Sequence, residues 1–183
     1  MRRHAVRSSF DEEVAVVEPV IVVMGVSGCG KTTVGALTAD RLEVPYAEGD
    51  DFHPPANIEK MAAGVPLTDE DRLPWLDTVA DWLAEHQEAG GVASCSALRR
   101  AYRDRLRAKA PQTYFVHLAA TRDELLRRMT GRLGHFMPTI LLDSQLDTLE
   151  PLQSDEAGIT LNALQPPSTL VSEAVDAWIA DHR

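Results

Sequence analysis

The residues best suited to chemistry are a lysine and a threonine at the end of a glycine-rich stretch. From Gly25 to Thr32 the chain reads GVSGCGKT, which fits the pattern G-x-x-x-x-G-K-[ST] at every fixed position. Glycines allow such a loop to turn its backbone N–H groups inward around phosphate oxygens. Lys31 can then reach the β- and γ-phosphates of a nucleoside triphosphate, and the Thr32 hydroxyl can bind Mg²⁺. The predicted nucleotide-binding residues are Gly25, Val26, Ser27, Gly28, Cys29, Gly30, Lys31, Thr32 and Thr33.

A second candidate group is acidic and follows the next predicted strand. The segment 48–51 reads EGDD, and it lies at the carboxyl end of that strand, where ligands bind in open α/β sheets. The chain has no apolar strand that ends in the usual metal-binding aspartate, since the third strand ends in Cys95, Ser96 and Ala97. Asp50 or Asp51 is therefore the expected acid. An acid at this position is typical of kinases whose acceptor hydroxyl lies beside the metal.

Two classes of phosphate-loop protein compete at this point. One is a small-molecule kinase, and the other is a nucleotide-binding regulator. A GTPase requires an Asn-Lys-x-Asp element, and the closest string, 57–60, reads NIEK and does not match. The string 155–158 fits Asp-x-x-Gly but follows no predicted strand. These residues favour the kinase and leave the regulator open.

Alternating strands and helices must position these groups. Val20–Met24 is a continuous apolar run, typical of a strand buried on both faces of a parallel sheet. The pattern predicts strands at 20–24, 44–47, 92–97, 114–118 and 159–162. It predicts helices at 31–42, 56–63, 74–87, 98–109, 139–149 and 167–181, and one from a Thr121 cap to about 130. The expected fold is α/β of the P-loop NTPase type, with a five-stranded parallel sheet and helices on both faces.

The sequence predicts a single P-loop kinase domain at 20–183, preceded by an N-terminal extension. Residues 1–19 mix both charge signs without periodicity, which is typical of a flexible N-terminal arm. Gly131 and Gly134 lie within a compact segment, about 131–139, that we expect to act as a small lid.

Composition restricts partners and compartment. The net charge of −10 argues against a nucleic-acid or membrane-surface partner. Two cysteines suggest no disulfide framework, so a reducing compartment is expected. No apolar run approaches membrane-spanning length, and the N-terminus does not fit a secretory signal. We therefore expect a cytoplasmic protein.

Several further stretches resemble the gluconate kinases (gluconokinases), relatives of the shikimate and adenylate kinases. Besides the phosphate loop, they are EGDDFHPPANIEKM at 48–61, PLTDEDRLPWL at 66–76, CSALRRAYRDRLR at 95–107, GHFMP at 134–138 and SQLDTLE at 144–150. The resemblance covers about residues 25–150. It implies transfer of the γ-phosphoryl group of ATP, with Mg²⁺, to the 6-hydroxyl of D-gluconate. The family commonly forms homodimers, which leaves a homodimer open for this chain.

The resemblance also implies roles for individual residues. Lys31 would hold the phosphates, and Asp50 would orient or deprotonate the acceptor hydroxyl and help to hold the metal, with Asp51 as the alternative. Arg128 and Arg132 would stack on adenine or clamp the transferring phosphate. Arg72 is the expected partner of the substrate carboxylate. The remaining candidate substrate-binding residues are His53, Lys60, Ser96, Arg103 and His135.

Some positions depart from the family pattern, and alternatives remain. Cys29 and Thr32 stand where serines are usual, and Leu133 stands where the lid would carry a lysine. His53 either lines the pocket or packs in its turn, and Ser96 either binds the sugar acid or simply ends a strand. The alternative functions are a kinase for another small hydroxy acid, such as shikimate, and a non-catalytic nucleotide-binding regulator.

Overall fold

The computed structural model of the chain describes residues 17–130 and 139–183. These residues form a parallel sheet of five strands with helices on both faces, which confirms the predicted fold class. The lid predicted at 131–139, including Arg132, Leu133 and His135, lies outside the described residues except for its last position. The predicted arm also lies outside them, except for residues 17–19.

The strands are β1 (Val20–Met24), β2 (Tyr46–Glu48), β3 (Gly91–Ser94), β4 (Tyr114–Ala119) and β5 (Gly158–Asn162). They lie in the order β2-β3-β1-β4-β5, and every neighbouring pair is parallel. The helices are α1 (Lys31–Leu42), α2 (Pro55–Ala62), α3 (Asp69–Glu85), α4 (Arg100–Lys109), α5 (Arg122–Thr130), α6 (Thr139–Thr148) and α7 (Pro167–Asp181). A 3₁₀ turn, Gly49–Phe52, connects β2 to α2. Within the two described ranges, no helix has both the length and the apolar composition required to cross a bilayer.

Strand β1 is buried on both faces, as its continuous apolar run predicts. Ile21 and Val23 belong to a core that also contains residues of α1, α5 and α7, whereas Val22 and Met24 belong to a core shared with α3 and α4. Full burial of one such side chain stabilises the fold by about 1.5–3 kcal/mol. The end of β1 is therefore a firm base for the loop that follows it.

Helix α3 begins five residues earlier than predicted. Its first turn is closed by a capping box, in which the Asp71 N–H donates to Thr68 Oγ1 at 3.2 Å and the Thr68 N–H donates to Asp71 Oδ2 at 2.9 Å. Pro74 therefore lies inside the helix rather than in its first turn. The segment 69–72, which precedes the predicted helix at 74–87, is helical, and Arg72 is held on the first turn of a packed helix.

The carboxyl ends of β1, β2 and β3 meet at one edge of the sheet. Strand β3 ends at Ser94, three residues before the predicted end, and Ala97 has a left-handed φ of 43°. Gly49 packs so closely on β3 that a Cβ there would lie 2.1 Å from the Ser94 carbonyl oxygen. The phosphate loop, Asp50 and Ser96 therefore all emerge at this edge.

Candidate active site

The loop after β1 has the backbone that its glycines predict. Gly28 and Gly30 have φ values of 83° and 104°, in the left-handed region that favours glycine. Gly30 directly precedes α1, so the unpaired N–H groups at the start of that helix belong to the loop. Lys31 Nζ donates to the Val26 carbonyl at 3.1 Å, which folds the lysine back over the loop. This arrangement of N–H groups and a lysine is the one that phosphate-binding loops use.

One amide of this loop is bonded to a side chain from α6. The Ser27 N–H donates to Gln145 Oε1 at 2.7 Å, across 118 positions of sequence. Gln145 lines the same cleft as Lys31 and Asp50. The sequence did not lead us to assign Gln145 to the site, although it lies in 144–150, one of the stretches that carry the family resemblance.

A cleft beside the loop brings together predicted groups from separate elements. Trp75, Leu98 and Leu141 supply apolar wall. The polar residues that line it include Ser27, Lys31, Asp50, His53, Arg72 and Ser96. The cleft therefore joins a phosphate-binding loop to a cation, a carboxylate and a hydroxyl, as an acceptor site for a charged, hydroxyl-bearing molecule requires.

The cleft has a second cation besides Lys31, namely Arg72, which lies on the first turn of α3. Its side chain is only 11% exposed, and Nη1 lies 3.3 Å from the Tyr102 hydroxyl and 3.8 Å from Asp69 Oδ1. The Tyr102 hydroxyl donates to Asp69. Burial, and then the bond to Asp69, raise the pKa of Tyr102. Tyr102 therefore stays a neutral support for the guanidinium, which lines the cleft.

His53 and Asp50 lie side by side in the cleft. The His53 ring is buried and stacks on Trp75, with centroids 4.1 Å apart and planes 15° from parallel. Its Nε2 is 4.0 Å from Asp50 Oδ1, and the Asp50 side chain is 70% exposed. Burial lowers the pKa of His53, the Asp50 charge opposes that shift, and the Arg72 charge adds to it. The histidine is therefore neutral beside an accessible carboxylate. Of the two alternatives that the sequence left open, both apply, because His53 lines the pocket and also packs in its turn.

Glu48 is a site residue that sequence reasoning missed. The Thr32 hydroxyl donates to Glu48 Oε2 at 2.6 Å, Tyr46 Oη lies 3.0 Å from the same oxygen, and the Ser94 hydroxyl donates to Oε1. Burial alone would raise the pKa of Glu48, but the hydrogen bonds from Ser94, Thr32 and Tyr46 lower it overall. The signal was present in the sequence, because Glu48 is the first acid after the predicted strand 44–47.

The oxygens around Thr32 suit a hard divalent cation. The Thr32 hydroxyl and the ionised Glu48 are in contact, and Asp50 follows on the next turn. In residues 17–130 and 139–183, no group of three or more His, Cys, Asp or Glu side chains is close enough to hold a metal ion by itself. Such a site fits Mg²⁺, which keeps several waters and shares phosphate oxygens when it binds with a nucleotide. Asp51 is exposed and is not part of the cleft wall.

Arg128 lies beside the phosphate loop, in a cleft other than the acceptor cleft. Its guanidinium donates to the carbonyls of Cys29 and Ala163. A second, shallower cleft here is lined by Arg128, Gly30, Thr33, Gln165 and Pro167, among others. This position, next to the loop and away from Asp50, suits the base of a nucleotide whose phosphates occupy the loop.

Two predicted substrate-binding cations are held elsewhere. Arg103 is fully buried, and its Nε and Nη2 donate to Glu156 at 2.7 and 2.8 Å. Its guanidinium also donates to the carbonyls of Ala97, Leu98, Glu150 and Pro151. Lys60 Nζ pairs with Asp71 Oδ1 at 2.6 Å. The structure brings neither cation to the cleft, and it corrects the expectation that Arg103 binds the substrate, because every face of that guanidinium is engaged within the protein.

Comparisons with known proteins agree with this architecture. The family model described as Shikimate kinase matches residues 27–156. The chain is similar to the "Gluconokinase" of Gluconobacter oxydans, at 49% identity over 88% of this chain and 92% of the relative. It is also similar to the "Thermosensitive gluconokinase" of Escherichia coli, at 46% identity over 75% of each chain.

Solved structures give the same picture. A crystal structure of a gluconokinase from Sinorhizobium meliloti superposes with a TM-score of 0.84 and 44% identity, covering 91% of this chain and 94% of that one. The shikimate kinase of Aquifex aeolicus superposes with a TM-score of 0.61 at 16% identity, over 88% of this chain and 96% of that one. The second similarity concerns the fold alone.

Proposed function

This chain belongs to the gluconokinase family of P-loop kinases, and we propose that it transfers the γ-phosphoryl group of ATP to the 6-hydroxyl of D-gluconate. The products are 6-phospho-D-gluconate and ADP. One observation carries the proposal: Arg72 and Lys31 of the phosphate loop line the same cleft. A sugar acid has its carboxylate and its terminal hydroxyl at opposite ends, and this cleft has a cation for the first and a phosphoryl donor site for the second.

The chain's own residues account for the transfer by positioning and charge. The loop N–H groups and Lys31 hold the β- and γ-phosphates, and Lys31 exchanges its contact with the Val26 carbonyl for phosphate oxygens. Asp50 orients the 6-hydroxyl and accepts its proton as that oxygen bonds to the γ-phosphorus. The bond from phosphorus to the bridging oxygen breaks, and ADP leaves with that electron pair. Such catalysis depends mainly on geometry and electrostatics.

Mg²⁺, bound with the nucleotide, would neutralise charge on the β- and γ-phosphate oxygens. Thr32 would be its protein ligand, and Glu48 and Asp50 would hold its waters, since Thr32 contacts Glu48 and Asp50 lines the same cleft as Lys31. The Glu48 carboxylate is kept ionised by its hydrogen bonds, as a partner of hydrated Mg²⁺ should be.

The acceptor is held at its other end. Arg72 forms charge-assisted hydrogen bonds with the carboxylate, and Ser96 and His53 contact hydroxyl groups along the cleft. Arg128 supports the nucleotide base. Arg132 and His135 belong to this proposal as lid residues that clamp the phosphate and close the site. We also propose that the protein works in the cytoplasm, as its composition predicts, and as a homodimer, as the family resemblance implies.

A kinase for a related hydroxy acid is the second candidate, because the family model that matches residues 27–156 is that of shikimate kinase. Shikimate also carries a carboxylate that Arg72 could bind. The two candidates differ in the acceptor hydroxyl and in the shape of the carbon skeleton, so the choice of acid in an assay separates them.

The test is ADP production from Mg-ATP with D-gluconate, shikimate and the neutral polyol D-glucitol as acceptors. We expect strong dependence on D-gluconate, weak use of D-glucitol and no use of shikimate. ADP release that is independent of every acceptor would contradict the proposal, and a preference for another acid would change the substrate.

The carboxylate contact has its own variant pair. Arg72→Met should raise the KM for D-gluconate about 30-fold or more, since the lost charge-assisted contacts are worth about 2–5 kcal/mol, while the KM for ATP changes little. Arg99→Met is the matched control, because Arg99 also pairs with Asp69 but is 41% exposed and is not part of the cleft wall. Equal effects on both KM values in Arg72→Met would move the carboxylate site elsewhere.

A further inference from the structure

A buried asparagine on α2 connects the histidine of the cleft to the start of α3. Asn57 is only 3% exposed. Its Nδ2 lies 2.8 Å from the Asp71 carbonyl oxygen and 3.2 Å from His53 Nδ1. A backbone carbonyl can only accept a hydrogen bond, so the contact with Asp71 fixes which end of the amide is the nitrogen.

This arrangement decides where the proton of His53 lies. The amide nitrogen of Asn57 has two hydrogens, and one of them is used by the Asp71 carbonyl. The other points to His53 Nδ1, which must then accept with its lone pair. A neutral imidazole that accepts at Nδ1 carries its proton on Nε2. A protonated ring would set an Nδ1–H against the N–H of Asn57, so the contact also disfavours the imidazolium.

The ring is fixed in position as well as in tautomer. His53 stacks on Trp75, whose indole N–H donates to the Gly49 carbonyl at 2.7 Å, directly before Asp50 in the chain. The His53 Nε2 atom is consequently held 4.0 Å from Asp50 Oδ1, at the wall of the cleft. The charged groups that act on the ring are Asp50 and Arg72, which have opposite effects on its protonation.

We propose that Asn57 is a positioning residue that fixes His53 as the Nε2–H tautomer, so that His53 serves as a neutral donor to an acceptor oxygen and proton acceptance is left to Asp50. The proposal rests on the proposed function, since it assigns roles within the acceptor site. A hydroxyl group suits this pair, because it can donate to the Asp50 carboxylate while it accepts from His53 Nε2–H. A substrate oxygen that carries no hydrogen could accept from His53 Nε2–H but could not donate to Asp50.

The first experiment measures the tautomer in the full-length protein without any variant. Long-range ¹H–¹⁵N spectra of the histidine rings distinguish the two neutral tautomers and the imidazolium. The chain supplies internal references, because His86 and His182 place Nδ1 2.7 Å from the carbonyls of Trp82 and Trp178, which requires Nδ1–H in their neutral rings. Both also stack on those tryptophans, as His53 stacks on Trp75.

We expect His53 to show Nε2–H above about pH 6.5, the ordinary pKa of histidine, and the neutral rings of the two references to show Nδ1–H. An Nδ1–H signal or an imidazolium signal for His53 in that range would overturn the proposal. Because this result needs neither ATP nor a sugar acid, it stays decisive if every acid fails as a substrate, in which case it is the proposed function that fails.

The second experiment reverses the hydrogen bond. In Asn57→Asp a carboxylate faces Nδ1, so His53 should carry its proton on Nδ1 and titrate at higher pH. We expect kcat/KM for D-gluconate to fall about tenfold or more at neutral pH, because about one hydrogen bond between neutral groups is lost in the transition state. The KM for ATP should stay within about twofold of the wild-type value. The pH profile for gluconate should gain an ionisation that the wild type lacks.

Ile58→Asp is the matched control, because Ile58 is the next residue of α2 and is 52% exposed. It adds the same charge without contact to His53 Nδ1, and should leave the gluconate kinetics near the wild-type values. If Asn57→Asp and Ile58→Asp behave alike, the effect is one of charge and the proposal is wrong. If Asn57→Asp does not fold, the wild-type spectrum still decides.

Discussion

The buried pair of Arg103 and Glu156 should carry a large share of the protein's stability. Both side chains are fully buried, and two nitrogens of the guanidinium contact the two carboxylate oxygens. In Glu156→Gln the amide NH₂ would face one of those N–H groups, and the buried guanidinium would lose its counter-charge. Removal of one partner of a buried pair costs about 3–5 kcal/mol. For a chain of this size, that cost lowers Tm by about 6–20 °C.

Thermal and urea unfolding followed by circular dichroism would measure this cost. Asp155→Asn is the matched control. Asp155 directly precedes Glu156 and pairs with Arg100, but its side chain is 66% exposed. An exposed pair contributes about 0–1 kcal/mol. A Glu156→Gln variant within about 1 kcal/mol of wild type would refute the reasoning. It would mean that solvating water or a rearranged acidic side chain compensates in the variant for the counter-charge that Arg103 has lost.

The pH dependence supplies an independent check. Burial would raise the pKa of Glu156, but the bonds from Arg103 and the Gln153 N–H lower it overall, below its ordinary value near 4.5. Its contribution is therefore complete above that ordinary value and is lost as pH falls through the lower pKa of the folded state. The stability gap between wild type and Glu156→Gln should shrink in acid, and a gap that widens would contradict this account.

Three further predictions concern the site and the sheet beneath it. Lys31→Ala should lower the rate of ADP formation with gluconate by at least about 10²-fold, since it removes a charge that meets the transferring phosphate; unchanged turnover, with circular dichroism showing an intact fold, would refute its role. Gly49→Ala should destabilise the protein by about 3 kcal/mol or more, because its Cβ would lie 2.1 Å from the Ser94 carbonyl; an unchanged urea midpoint would show that β2 can move away without cost. His117 has its pKa lowered to about 4, chiefly by burial and then by the charge of Arg103. Stability should therefore fall by about 3 kcal/mol as pH drops from 6.5 towards 4, and His117→Asn should lack that part of the slope.

Much of the fold could be predicted because local signals agree with it. The apolar run Val20–Met24 predicts a doubly buried strand, and the glycine pattern predicts a loop and the start of α1 at Lys31, as observed. The start of α3 was predicted wrongly because Pro74 looked like a first-turn residue. The box formed by Thr68 and Asp71 closes the helix one turn earlier, and the proline is tolerated within it.

The parts of the site that could not be predicted depend on long-range packing. The charge of Arg103 is visible in the sequence, but nothing local indicates that Glu156, 53 positions away, will enclose it. The choice of Glu48 as partner of Thr32 depends on the register of β2 beside β3, which brings Tyr46 and Ser94 to the same carboxylate. The contact of Gln145 with Ser27 likewise requires α6 to pack over the loop.

The hydrogen bond from the Ser27 N–H to Gln145 means that the phosphate loop holds a substitute ligand of its own. A nucleotide that uses this amide must displace a carboxamide, so binding is an exchange of partners. Such a bond contributes about 0.5–1.5 kcal/mol net, and the binding free energy of the nucleotide is reduced by that amount. Affinity for ATP and for ADP is reduced by up to about tenfold at this contact. The carboxamide therefore weakens the binding of ADP as well as that of ATP, because both must displace it from the same amide.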